Sequence, residues 1–142
     1  MGAYIYDTDY NGYAIELWGS AGDDRLWSYG PGLERFYGET GDDKILAGGN
    51  QSYNWLEGGA GSDYVIDKGG AADTLYGDFP CSGFCSGGND TVCDFGGAAT
   101  FNCGPNGDDF LADAGCPSGG CIGCEGGIEF CDWGEWPAPY SD

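Results

Sequence analysis

Asp24, Asp43, Asp63 and Asp109 each sit at the sixth position of one recurring phrase: Gly19-Ser20-Ala21-Gly22-Asp23-Asp24-Arg25-Leu26, Gly38-Glu39-Thr40-Gly41-Asp42-Asp43-Lys44-Ile45, Gly58-Gly59-Ala60-Gly61-Ser62-Asp63-Tyr64-Val65 and Gly104-Pro105-Asn106-Gly107-Asp108-Asp109-Phe110-Leu111. Glycine fills the first and fourth places and a branched aliphatic the eighth, while Gly87-Gly88-Asn89-Asp90-Thr91-Val92 is a degraded fifth copy around Asp90. Glycines that accept positive φ can turn backbone carbonyls toward one point, and a carboxylate adds charge there, which is the chemistry of oxygen ligation of a hard cation. A single Gly-Asp pair is explained as a good turn. Five copies on one edge are not, because carboxylates stacked about 5 Å apart repel one another unless a cation lies between them. The fifth-position acids Asp23, Asp42 and Asp108 are expected on a solvated outer rim. Acid–base catalysis has little to work with: the chain has no histidine, which removes the usual general base, the Ser-His and Cys-His arrangements, and imidazole zinc sites.

The elements that must carry these turns follow from the apolar ladder between them. Leu17, Leu26, Phe36, Ile45, Leu56, Val65, Leu75, Val92, Phe101 and Leu111 are separated by steps of 9, 10, 9, 11, 9, 10, 17, 9 and 10 residues. A glycine-rich turn plus a short strand with one inward apolar side chain makes a half-coil of this length, and such half-coils stack in parallel at about 19 residues per coil. The fold class expected is all-β, a parallel β-roll or β-solenoid of about five short coils with a disulfide-rich C-terminal part. The long step reads as a looped-out insertion near 79–87. Helix is disfavoured because no glycine-free stretch keeps apolar residues at helical spacing for three turns. The organisation is then an extended segment or cap at 1–14, the repeat at 15–112 and a Cys-rich cap with an aromatic tail at 113–142, in a chain of one-domain length.

Composition narrows the partners. Four basic against 24 acidic residues leave a net charge of −20, so nucleic acid is excluded as a partner and anionic membrane surfaces are repelled. No apolar run is long enough to insert in a membrane as a helix. All the cysteines, Cys81, Cys85, Cys93, Cys103, Cys116, Cys121, Cys124 and Cys131, fall in the second half. Their even number reads first as disulfides in an oxidising compartment, with the pairing open; the competing reading is a thiolate metal site around the CxxC of Cys121 and Cys124. Met1 to Tyr6 shows no signal-peptide grammar, so an extracellular or cell-surface location is inferred from the cysteines and from the resemblance described next.

The phrase resembles GGxGxDxUx, with U a large aliphatic residue, the nonapeptide of the RTX (repeats-in-toxin) family of hemolysin-type calcium-binding β-rolls, over roughly residues 15–112. The resemblance implies Ca2+ as the cofactor, bound between stacked turns by backbone carbonyls and the sixth-position aspartate. Carried over by position, the ligand aspartates are Asp24, Asp43, Asp63, Asp90 and Asp109, and the turns are shaped by Gly19, Gly22, Gly38, Gly41, Gly58, Gly61, Gly104 and Gly107. The opposite edge has Glu34, Asn54, Asp73 and a neutral position near Ala99 or Thr100 in the equivalent places. A one-edged calcium array follows, with few or no ions opposite. The insertion and the missing first glycine place the Asp63/Asp90 and Asp90/Asp109 positions in question.

With one inward residue per half-coil, most of the 5 Trp, 10 Tyr and 7 Phe cannot enter the core. Trp27, Leu46 and Ile66 with Tyr64 are expected to face outward on one side, and Trp18, Tyr37 and Tyr76 with Trp55 on the other. Exposed ladders of this kind call for a cover, which could be the chain's own tails, another copy of the chain or carbohydrate. The function expected is that of an extracellular calcium-binding structural protein, a self-assembling subunit of a surface or matrix filament. The alternative is a calcium-folded secretion or adhesion module that binds carbohydrate through its aromatic ladders. Neither is an enzyme.

Overall fold

The computed structural model describes residues 2, 4–7, 14–28, 32–48, 53–67, 73–78, 88, 90–94, 100–102, 110–112 and 121–122. They form twelve short strands: β1 (Tyr4–Asp7), β2 (Ile15–Ala21), β3 (Arg25–Ser28), β4 (Glu34–Thr40), β5 (Lys44–Ala47), β6 (Trp55–Ala60), β7 (Tyr64–Asp67), β8 (Thr74–Tyr76), β9 (Thr91–Asp94), β10 (Thr100–Asn102), β11 (Phe110–Ala112) and β12 (Cys121–Ile122). No helix occurs among the described residues, as the spread of glycines through the chain dictates.

Successive strands alternate between two six-stranded parallel sheets, one ordered β1-β3-β5-β7-β9-β11 and the other β12-β10-β8-β6-β4-β2. The strand registers reproduce the apolar ladder. Leu26, Ile45, Val65, Val92 and Leu111 pair in sequence in the first sheet, and Leu17, Phe36, Leu56, Leu75 and Phe101 in the second. The long step leaves this register intact, because Val65 still pairs with Val92. The insertion at 79–87 lies outside the described residues.

Leu26, Phe36, Ile45, Leu56, Val65, Leu75 and Val92 are fully buried and meet one another between the sheets. Burying each such side chain contributes about 1.5–3 kcal/mol, and a strand of three to seven residues has few others to offer. Leu17 is only half-buried, since β2 is the edge strand of its sheet. Ile5 and Ile15, at the same end, are also half-buried against the core.

The sheets extend beyond the 15–112 stretch. β1 pairs with β3, placing Ile5 opposite Leu26, and β12 pairs with β10, placing Cys121 opposite Phe101. Within the 1–14 stretch, Tyr4–Asp7 is an extended strand of the first sheet, with Ile5 in the position of the apolar slot.

One expectation is corrected here. Trp27, Leu46 and Ile66 point away from the core, yet they are 3 %, 2 % and 0 % exposed, so this column is covered by the chain itself and is not an open surface. On the second sheet Trp18 is 47 % exposed, and Tyr37, Trp55 and Tyr76 are half-buried, as is Tyr64 on the first.

Candidate metal centre

The turns that follow β2, β4 and β6 stack on one edge. Their fourth glycines sit almost on top of the glycine of the repeat before: Gly61 has φ +140°, and a Cβ there would collide with the Gly41 carbonyl. No other residue type satisfies both demands. Lys44, Tyr64 and Thr91 donate their N–H groups to the carbonyls of Asp24, Asp43 and Asp63 at 2.9, 2.8 and 2.8 Å, which sets the vertical spacing of the sixth positions.

Those sixth positions form a ladder of side chains. The N–H of Asp24 donates to Asp43 Oδ1 at 2.7 Å, that of Asp43 to Asp63 Oδ1 at 2.8 Å, and that of Asp63 to Asp90 Oδ1 at 2.8 Å. All four aspartates are at most 2 % exposed. One carboxylate oxygen of each of the three receiving residues therefore carries the backbone from repeat to repeat. The other is a different matter: Oδ2 of Asp43 and Oδ2 of Asp63 are buried with no donor. Both Asp63 Oδ2 and the Gly77 carbonyl oxygen lie 2.5 Å from where a Cβ on Gly58 would stand. Two acceptors thus face each other over a glycine that leaves room for them.

Burial without a donor shows in the acidities. Desolvation, opposed by the Asp24 N–H and reinforced by the charges of Asp24, Asp23 and Asp42, pushes the Asp43 carboxyl up to about 6. Asp63 is pushed up to about 7 by burial, against the Asp43 N–H and with the charges of Asp43, Asp78 and Asp42 adding to the rise. Both carboxyls therefore hold a proton more readily than an ordinary aspartate, and a cation beside them would take that proton's place.

The rim behaves as expected. Asp23 and Asp42 are exposed, and they accept the N–H groups of Asp42 and Ser62 at 3.1 and 2.9 Å. Gly104, Gly107, Asp108 and Asp109 lie outside the described residues. So do Cys81, Cys85, Cys103, Cys116, Cys124 and Cys131, while Cys93 and Cys121 belong to β9 and β12. The first glycine of the fifth copy is not missing. Gly77 stands against the Asp90 carboxylate as Gly58 stands against Asp63, so the insertion falls between the first and fourth places of that turn, and Asp90 keeps its rung.

The opposite edge repeats the ladder with an amide in its middle. Glu34, Asn54 and Asp73 are buried; the Glu34 N–H donates to Asn54 Oδ1 at 3.1 Å and the Asn54 N–H to Asp73 Oδ1 at 2.8 Å. Asn54 Nδ2 donates in turn to Asp67 Oδ2 at 3.1 Å, so this edge carries a side-chain proton donor in its middle rung. Asp73 is raised, chiefly by desolvation.

Three buried carboxylates escaped the sequence reading: Asp67, Asp78 and Glu57. Asp67 had a signal, since it lies two residues beyond the inward Val65 and strand alternation turns it inward too. Glu57 accepts from Trp55 Nε1 at 3.2 Å, and burial raises its pKa. Nearby, Trp18 stacks on Tyr37 with centroids 4.1 Å apart and planes at 21°, and its Nε1 donates to Glu16 Oε1 at 2.8 Å. Among the described residues, no three acidic or cysteine side chains converge closely enough to hold a metal ion by themselves. An ion on the aspartate edge would draw on one or two carboxylates and on turn carbonyls, a donor set of hard oxygens that would suit calcium. Comparison with protein-family models, curated proteins and solved structures finds no match to this chain.

Proposed function

We propose that this chain is an RTX-like parallel β-roll that folds around calcium on one edge and serves as an extracellular structural protein, a non-enzymatic subunit that assembles with copies of itself. The observation that carries the calcium reading is the pair of buried Oδ2 atoms on Asp43 and Asp63, each without a donor in a ladder where every rung is acidic. Calcium supplies the positive charge that these oxygens lack and draws its remaining ligands from the glycine-turn carbonyls. On the opposite edge Asn54 replaces one carboxylate of the ladder by a neutral amide that donates to Asp67 Oδ2, so few or no ions are expected there, although Asp73 Oδ2 is buried without a donor as well.

Self-assembly is favoured by the β2 end. There Leu17, Ile5 and Ile15 leave the core partly open, and Trp18 is the large exposed ring beside them. Trp18 caps the Trp18–Tyr37 stack at the edge strand, so its exposed surface continues the partly open apolar end and suits the matching end of another copy. The cysteines add the extracellular location.

The test is a calcium titration of chelator-stripped protein followed by circular dichroism and light scattering together. Strand signal that grows with calcium, with scattering rising after it, supports both parts of the reading. A stripped protein that is fully folded and silent to calcium overturns it.

A further inference from the structure

We infer that Asp78 is an acidic residue of the Asp63–Asp90 turn pair and makes that pair the tightest calcium position on the edge; this rests on the calcium reading above. Its place in the fold is specific. Asp78 follows Gly77, the glycine that serves Asp90 across thirteen residues of chain, so it occupies the second position of that turn. The same position holds Ser20, Glu39 and Gly59 in the preceding repeats, where Ser20 is exposed and Glu39 half-buried. Asp78 is 1 % exposed.

Three buried carboxylates therefore belong to this turn pair, Asp63, Asp78 and Asp90, whereas Asp24 and Asp43 stand in theirs with a serine and a half-buried glutamate at the second positions. The Asp78 charge acts on Asp63, whose Oδ2 is buried without a donor and shares the space over Gly58 with the Gly77 carbonyl. Asp78 need not touch the ion, since cation affinity rises with the number of negative charges around a site of fixed shape.

The experiment uses the full chain with calcium by calorimetry and terbium by sensitised luminescence, comparing the wild type with Asp78→Asn and with Asp78→Ser, the residue the first repeat carries at this position. Both variants are first matched to the wild-type circular dichroism in saturating calcium. Expected is a wild-type tight class that weakens about ten-fold in both variants, at unchanged stoichiometry and with Glu16→Gln as an unaffected control. If the wild type binds calcium and the tight class stays within about two-fold in both variants, the inference is overturned and the calcium reading survives. If the wild type binds no calcium, the calcium reading itself fails.

Discussion

Raising the pH of the calcium-free protein from about 5 to about 8 ionises Asp43 and Asp63 in the buried ladder. Their folded acidities lie above the ordinary 3.8, at about 6 and about 7, so the folded state holds these protons more tightly than the unfolded chain does. The resulting stability is complete below 3.8 and is lost as the pH climbs through 6 and then 7. Only the part of each shift above pH 5 is lost in this range, about 1 kcal/mol for Asp43 and about 3 kcal/mol for Asp63. The Asp43 charge contributes to the Asp63 rise, so about 3 kcal/mol is expected for the pair. That is a large share of a typical domain's stability, and the stripped protein should be markedly weaker at pH 8 than at pH 5. Urea denaturation in metal-free buffers across this range measures the slope. Saturating calcium should abolish or reverse it, because calcium takes the place of the protons. A stripped protein whose stability is flat or rises between pH 5 and pH 8 would refute the reasoning.

Asp63→Asn keeps an oxygen for the Asp43 N–H and puts a donor where Oδ2 faces the Gly77 carbonyl. It should stabilise the calcium-free protein at pH 8 by about 2–4 kcal/mol while removing part of the calcium response, both readable from the same urea curves. Gly61→Ala places a Cβ against the Gly41 carbonyl at a φ of +140°; a loss above about 3 kcal/mol is expected in thermal melts with calcium present. Trp18→Ala removes a ring that is 47 % exposed, so stability should change by about 1 kcal/mol while calcium-dependent light scattering falls sharply. Unchanged scattering would exclude the β2 end as an assembly surface.

The strand order and register were legible because a half-coil offers one inward place, so residue counts between Leu17 and Val92 translate directly into position in the sheets. Asp24, Asp43, Asp63 and Asp90 were legible for the same reason. Gly77 was not, because the insertion separates it from the aspartate it serves, and a phrase read along the chain cannot bridge that gap. Nor was the burial of Trp27, Leu46 and Ile66: alternation shows which way a side chain points, whereas its exposure depends on where distant parts of the chain run. Asp78 was hidden by its neighbourhood, since an acid beside a glycine and ahead of Pro80 looks like any solvated loop until the turns are stacked.

The most direct test of the account is a crystal structure of the protein grown with calcium, with anomalous scattering recorded where calcium contributes. The account predicts anomalous peaks along the aspartate edge, at roughly 2.3–2.6 Å from Oδ2 of Asp43 and of Asp63, and none beside Asn54. An ordered ladder without such peaks, its carboxyl groups protonated or bonded to water, would contradict it.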